Sequence, residues 1–222
     1  MNAINYQKEM DKFLGELEGA GTIPRLFLHS CCAPCSSYCL EYLCRYFHIT
    51  VFYYNPNISP EEEYTKRVAE QKRLIAAYNS EQKGYPIEIV EGDYHPQHFF
   101  EAVKGYERCR EGGERCAKCF ALRLEETARR AAADGYDYFA TTLTISPLKN
   151  APLINSLGQQ MGERYQVAYL ASDFKKKNGY KRSVELSAEY DLYRQNFCGC
   201  IFSRMQSQQQ KTTSVLREHK TT

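Results

Sequence analysis

The sequence predicts an α/β fold: one parallel sheet with helices packed on both faces. Three observations carry that expectation. The chain of 222 residues is long enough for one domain with a substantial core. About five short apolar runs read as strands, and helical stretches lie between them. Strands separated by helical crossovers imply parallel pairing with both faces covered.

The elements follow in order. An amphipathic amino-terminal helix spans about residues 2–18, and Gly19, Gly21 and Pro24 break it. Arg25 to Ser30 is a short apolar run with the look of a buried strand. Ser36 to Tyr46 then reads as a helix, and Thr50 to Tyr54 as the next strand, closed by Asn55-Pro56-Asn57. A helix from about Pro60 to Tyr78 has its proline near the start and Glu61, Glu62 and Glu63 in the first turn. Ile87 to Val90 is a third strand, and His95 to Lys104 is helical. Cys116 to Ala133 is a strong helix, with Phe120, Leu122, Leu124, Ala128 and Ala131 on its inner stripe. Tyr138 to Thr142 and Gln166 to Tyr169 complete the strands. No internal repeat is evident. From about residue 205 to 222, Gln-, Ser- and Thr-rich sequence reads as a flexible tail of this single domain, 1–222.

Composition bounds the function. At 43% hydrophobic and 25% charged the chain is ordinary globular material. No apolar run approaches the ~18–20 residues that span a bilayer, and Met1 to Glu18 lacks a signal-peptide core. A soluble, cytoplasmic protein with no membrane partner is expected. The net charge of +2 says little about nucleic acid. A local basic tract, Lys175, Lys176, Lys177, Lys181 and Arg182 with Tyr180 among them, reads either as a solvated face or as an RNA contact.

Ten cysteines are the outlying feature. Most fall in three tight groups: Cys31-Cys32-Ala33-Pro34-Cys35, Cys116-Ala117-Lys118-Cys119 and Cys198-Gly199-Cys200. Small secreted disulfide scaffolds are built otherwise, and adjacent thiols make poor long-loop staples but good joint ligands. Cys31 and Cys32 follow the first strand, at the carboxyl edge where open α/β sheets bind ligands. Cys116 and Cys119 begin a helix, one turn apart on one side and near its positive end. Paired, the two groups give four thiolates, which fit either zinc or a four-iron cluster. Adjacent side chains diverge, which suits the wider spread of a cubane. Cys198-Gly199-Cys200 reads as a strained redox pair, a second metal half-site or two buried thiols. Cys39 and Cys44 read as core.

The sequence resembles the cobalamin-independent epoxyqueuosine reductases of QueH type, from about Leu26 to Phe202. The resemblance rests on His-Ser-Cys-Cys-Ala-Pro-Cys (29–35), Tyr-Asn-Pro-Asn-Ile (54–58) and Arg-Cys-Ala-Lys-Cys-Phe-Ala-Leu-Arg-Leu (115–124). Thr-Thr-Leu-Thr-Ile-Ser-Pro-Leu-Lys-Asn (141–150), Asp-Phe-Lys-Lys-Lys-Asn-Gly-Tyr (173–180) and Tyr-Arg-Gln-Asn-Phe-Cys-Gly-Cys (193–200) extend it. It implies an HUP-like three-layer fold and reduction of epoxyqueuosine to queuosine at the wobble base of tRNA, an epoxide losing its oxygen to leave an alkene. It further implies that Cys31, Cys32, Cys116 and Cys119 hold a [4Fe-4S] cluster and that Cys198 and Cys200 form a redox-active disulfide. A single iron or zinc ion beside the cluster is also implied, with Cys35, where relatives can carry aspartate, as a candidate ligand.

Other roles are expected from position. Asp173 and Asp93 are candidates for the acid that protonates the leaving oxygen. Thr141, Thr142, Thr144 and Ser146 follow a strand, where hydroxyls hold phosphate or ribose. Lys149, Lys175, Lys176, Lys177 and Arg182 are expected on anticodon-loop phosphates, and Tyr180 on a splayed base. An electron donor is required, and the sequence does not name it. Two competing readings are a structural-zinc RNA-binding module and an ATP-using HUP-type tRNA-modifying enzyme. The second needs a glycine-bearing phosphate loop after the first strand, where this chain has Cys31-Cys32-Ala33-Pro34.

Overall fold

The computed structural model describes residues 4–218. Its order is α1 (Tyr6–Ala20), β1 (Arg25–His29), α2 (Ala33–Leu43), β2 (His48–Tyr53), α3 (Glu61–Ser80), β3 (Glu88–Glu91) and α4 (Pro96–Ala102). Then come α5 (Glu114–Ala133), β4 (Tyr138–Thr141), α6 (Ala151–Tyr165), β5 (Ala168–Tyr169), α7 (Gly179–Glu189) and α8 (Ile201–Glu218). The five strands pair in parallel in the order β3-β2-β1-β4-β5. The three-layer α/β architecture predicted from the sequence is the one observed.

Side-chain alternation along β1 divides the core. Leu26 and Leu28 pack with Met10 and Leu14 of α1, Leu40 of α2, Leu74 and Tyr78 of α3 and Leu186 of α7. Phe27 points the other way, to Phe120, Leu124 and Ala128 of α5 and Ile154 of α6. Each face of the strand therefore loses its apolar surface to a separate helical layer, which is why the run is continuously hydrophobic. The chain leaves β1 toward β2 on one side and returns on the other through β4. The β1–β4 boundary is thus the topological switch point, where the carboxyl ends of neighbouring strands part into a crevice.

Two helices, α6 and α7, lie where the sequence reading assigns no definite helix. Glycines disguise them. A Cβ on Gly158 would meet the Tyr169 ring at 2.3 Å, and one on Gly162 the Val167 carbonyl at 2.8 Å. These glycines let α6 lie close on the sheet rather than ending it, although they lower its intrinsic helicity. The stretch from about residue 205, expected as a flexible tail, is helical through Glu218 as α8, and residues 219–222 lie outside the described part. Among the described residues no helix is long and apolar enough to cross a membrane.

His29 locks the crevice floor. Fully buried at the end of β1, its Nδ1 lies 2.9 Å from the Thr141 hydroxyl and its Nε2 lies 3.2 Å from the Tyr54 carbonyl. Because the carbonyl only accepts, Nε2 carries the proton and Nδ1 accepts from Thr141, whose oxygen also accepts from the Leu143 amide at 3.2 Å. Burial, reinforced by the Arg123 charge, pushes the His29 imidazole down to about 3 from 6.5. Above pH 6.5 the ring is neutral in folded and unfolded chains alike, so it leaves stability unchanged there. Between pH 6.5 and 3 only the unfolded chain takes up the proton, and stability falls as pH falls. Urea unfolding should show a loss approaching about 1.4 kcal/mol per pH unit in that window, and His29→Gln should lack this component. Parallel pH profiles for the two proteins would contradict the assignment.

Candidate metal centre

Three cysteine groups that lie far apart in sequence line two neighbouring spaces that share Cys198. β1 ends at His29, and Ser30 then leads into Cys31 and Cys32 at the start of α2, with Pro34 in its first turn. The Cys31, Cys32 and Cys35 sulfurs all lie within 4.8 Å of one another. Cys31 Sγ is also 3.9 Å from the Thr142 hydroxyl across the β1–β4 boundary. The loop is pinned from below: Asn55 Nδ2 donates to the Ser30 carbonyl at 2.7 Å, and Ser36 Oγ donates to the Cys32 carbonyl at 2.8 Å.

α5 supplies the second group. Cys116 is half-buried and its sulfur accepts from the Gly112 amide at 3.2 Å, while Cys119 is buried. Cys116 packs in the same cluster as Cys31, Cys32 and Cys35, and Cys119 packs with Cys200. The third group forms a tight hairpin entering α8. Arg67 Nη1 donates to the Cys198 carbonyl at 3.0 Å and its Nε to Glu63 at 2.7 Å, while the Ser59 amide holds the Gly199 carbonyl at 3.0 Å. Gly199 has φ +127, open to glycine, and its Cα faces Ile58 and Arg67 with no room for a side chain. Cys198 borders two spaces. One is a cavity of about 610 Å³ shared with Cys31, Cys32, Cys35, Lys149 and Arg194. The other is a small enclosed void shared with Cys116, Cys119, Cys200, Arg115 and Arg123.

The electrostatics are unusual for a protein interior. Arg123, four residues beyond Cys119, is 1% exposed. It faces the Cys119, Cys198, Cys31 and Cys116 thiols, with no carboxylate in ion-pair range among the described residues. Lys149 stands at the cavity wall. Burial opposes its charge, but the Cys31, Cys198 and Cys35 sulfurs hold the ammonium well above its ordinary range. Hydrogen bonds from Cys32 and Cys35, together with these cations, lower the Cys31 thiol, while burial pushes Cys119 up to about 12 and Cys200 up to about 11. Soft sulfur donors beside buried cations suit a metal group of net negative charge.

Several expected site residues lie elsewhere. Cys198 and Cys200 are free thiols, so the disulfide implied by the resemblance is not formed. Thr141 and Thr142 are completely buried; Thr141 is committed to His29 and Leu143, so its hydroxyl is closed to phosphate or ribose. Thr144 bonds Ser172 internally at 2.8 Å. Asp173 is paired with Lys175 at 2.5 Å and does not border the cavity; exposed Asp93 does not border it either. The basic tract is largely neutralised from within. Lys177 pairs with Asp11, and Arg182 is gripped by Glu41 at 2.7 and 3.0 Å. Lys176 stays exposed, and Tyr180, 41% exposed, borders the cavity. The half-buried Leu122 gives its place on the inner face of α5 to Arg115 and Arg123.

Sequence reasoning missed Arg67, Arg115, Arg123, Arg194 and Gln195. The signal for two of them was present: Arg115, Cys119 and Arg123 recur every four residues on the α5 face that carries Phe120 and Leu124. Gln195 borders the cavity with a buried amide oxygen that has no partner.

Comparison with known proteins adds a consistent result. The family model described as epoxyqueuosine reductase QueH matches residues 26–206. A protein of Staphylococcus epidermidis named epoxyqueuosine reductase QueH is 44% identical over 204 residues, 91% of this chain and 85% of that protein. Proteins of the same name from Thermotoga maritima and Dehalococcoides mccartyi are 36% and 34% identical, over 82% and 81% of this chain and 91% and 92% of theirs.

Proposed function

The chain belongs to the epoxyqueuosine reductase QueH family, and from that premise we propose that it reduces epoxyqueuosine in tRNA to queuosine, using a [4Fe-4S] cluster held by Cys31, Cys32, Cys116 and Cys119. The observation that supports this reading is that two spaces meeting at Cys198 are lined by the two thiol pairs, Cys31 and Cys32 on one and Cys116 and Cys119 with the buried cation Arg123 on the other, and that Cys116 packs against the Cys31–Cys32 cluster. The donor set fits: sulfur ligands and orphaned guanidinium N–H groups on Arg115 and Arg123, with Glu111 on the same walls accepting from the Ser203 hydroxyl at 2.8 Å. When bound, the cluster supplies electrons one at a time.

The chain's own residues do the rest. A cavity of about 610 Å³ is of the size that admits a modified nucleoside, and it opens directly against Cys31, Cys32 and Cys35. Tyr180 and Phe197 offer ring faces to a base drawn out of the anticodon loop. The orphaned Gln195 amide oxygen accepts from a base or sugar donor. Lys149 keeps its proton beside the sulfurs, so its ammonium steadies charge growing on the departing epoxide oxygen. Cys198 at the cavity wall and Cys200 in the adjoining void stand as reduced thiols and are assigned to turnover rather than to holding iron. The compact Cys31–Cys32–Cys35 group supports a second reading, a single iron or zinc ion at those three thiols. A reducing, cytoplasmic setting suits all ten free thiols.

Anaerobically purified protein is expected to carry about four iron and four sulfide per chain and to convert epoxide-bearing tRNA. Cys116→Ser should lose both iron and sulfide. One zinc per chain without sulfide would instead support the single-ion reading and refute the cluster.

Arg194 borders the cavity without a carboxylate partner among the described residues, bonding only Ser183 and Ser187. Arg194→Ala should therefore weaken tRNA binding and lower the salt slope by about one phosphate contact. Lys177→Ala, which removes a charge already spent on Asp11, should change that slope little. Equal effects in filter-binding titrations would place the RNA surface on the basic tract after all.

A further inference from the structure

We infer that the Arg123 guanidinium is a built-in counter-charge for the metal–thiolate group, holding that group in place and setting its reduction potential. The inference rests on the cluster reading above and concerns a residue that binds neither metal nor substrate.

Arg123 is 1% exposed, and its polar contacts are few. Its Nε donates to the Cys119 carbonyl at 3.1 Å, its Nη1 reaches Asn55 Oδ1 only at 3.5 Å, and its Nη2 has no partner. Of the other buried arginines, Arg67 is paired with Glu63, while Arg115 donates to the Glu107 and Cys109 carbonyls and, like Arg123, keeps guanidinium nitrogens without a partner. A permanently charged group taken out of water with no anion beside it is strongly unfavourable unless the site itself supplies negative charge.

The surroundings identify that charge. Side chains on a helix lean toward its amino terminus, so a residue four beyond Cys119 reaches back over the turn that carries Cys116 and Cys119. Arg123 accordingly borders the small void lined by Cys116, Cys119, Cys198 and Cys200, where Glu111 accepts from Ser203 rather than pairing with it, and its charge also acts on Cys31. Neutral thiols leave the guanidinium uncompensated. Thiolates on metal balance it, because four of them around a [4Fe-4S] core make a net dianion. A fixed cation beside such a group favours its reduced, more negative form and raises its potential. Lys149 faces sulfurs of the first group but opens on the cavity, and Arg115 borders the same void as Arg123; Arg123 is the one of these whose charge acts on Cys119, Cys198, Cys31 and Cys116 together.

The test compares wild type, Arg123→Lys and Arg123→Met in the iron-loaded protein. Redox titration followed by electron paramagnetic resonance should show the methionine variant at least tenfold harder to reduce, about 59 mV lower for one electron, with the lysine variant between. Iron retained by Arg123→Lys and lost by Arg123→Met also supports the counter-charge. Thermal unfolding supplies a readout that packing alone does not move. Arg123→Met should destabilise the iron-loaded protein and leave the chelator-stripped protein equally or more stable than wild type. A wild-type potential in Arg123→Met, or equal destabilisation of loaded and stripped forms, would overturn the inference. Wild-type protein with no iron and sulfide would instead overturn the cluster reading itself, and the counter-charge with it.

Discussion

Charge balance is the constraint on which the proposed site depends. Two adjoining spaces that share Cys198 hold sulfur donors from three chain segments, and the Arg123 guanidinium on the inner one has no ion-pair partner among the described residues. Neither half is comfortable alone. Burial keeps thiols such as Cys119 and Cys200 protonated unless a metal takes the proton's place, and a buried cation seeks an anion. Each supplies what the other lacks, provided the sulfurs are deprotonated and shared by an inorganic group.

The fold exists to make that meeting reproducible. Parallel pairing of β1 with β4 puts Cys31 and Thr142 on neighbouring strand ends, 3.9 Å apart. α5 then returns over the same face with Cys116 and Cys119 in its first turns. Arg67 reaches from α3 to hold the Cys198 carbonyl, so the last hairpin closes the site instead of hanging from α8. These supports are polar, buried and mostly satisfied, the pattern that fixes a site to within a fraction of an ångström.

Much of this was legible in the residues. The strands showed because buried parallel strands are continuously apolar, and the cysteine groups because adjacent or near-adjacent thiols serve little other purpose. What was hidden had physical causes. α6 and α7 begin or run through glycines that serve close packing, and sequence alone reads them as breaks. The buried face of α5 includes Arg115 and Arg123, which charge-based patterning assigns to solvent. The basic tract looked free because its partners, Asp11 and Glu41, come from α1 and α2. Thr141 looked available for phosphate until His29 was seen to use its hydroxyl. Pairing across the fold, rather than residue type, decides which polar groups remain for a substrate.

The whole account depends on chain segments some eighty residues apart gripping a single inorganic body. Anomalous diffraction at the iron edge from anaerobically grown crystals tests that directly. The account predicts a multi-iron peak bonded to Cys31, Cys32, Cys116 and Cys119 together, with the Arg123 guanidinium beside it. A lone metal bound solely by Cys31, Cys32 and Cys35, with the α5 thiols unligated, would contradict it.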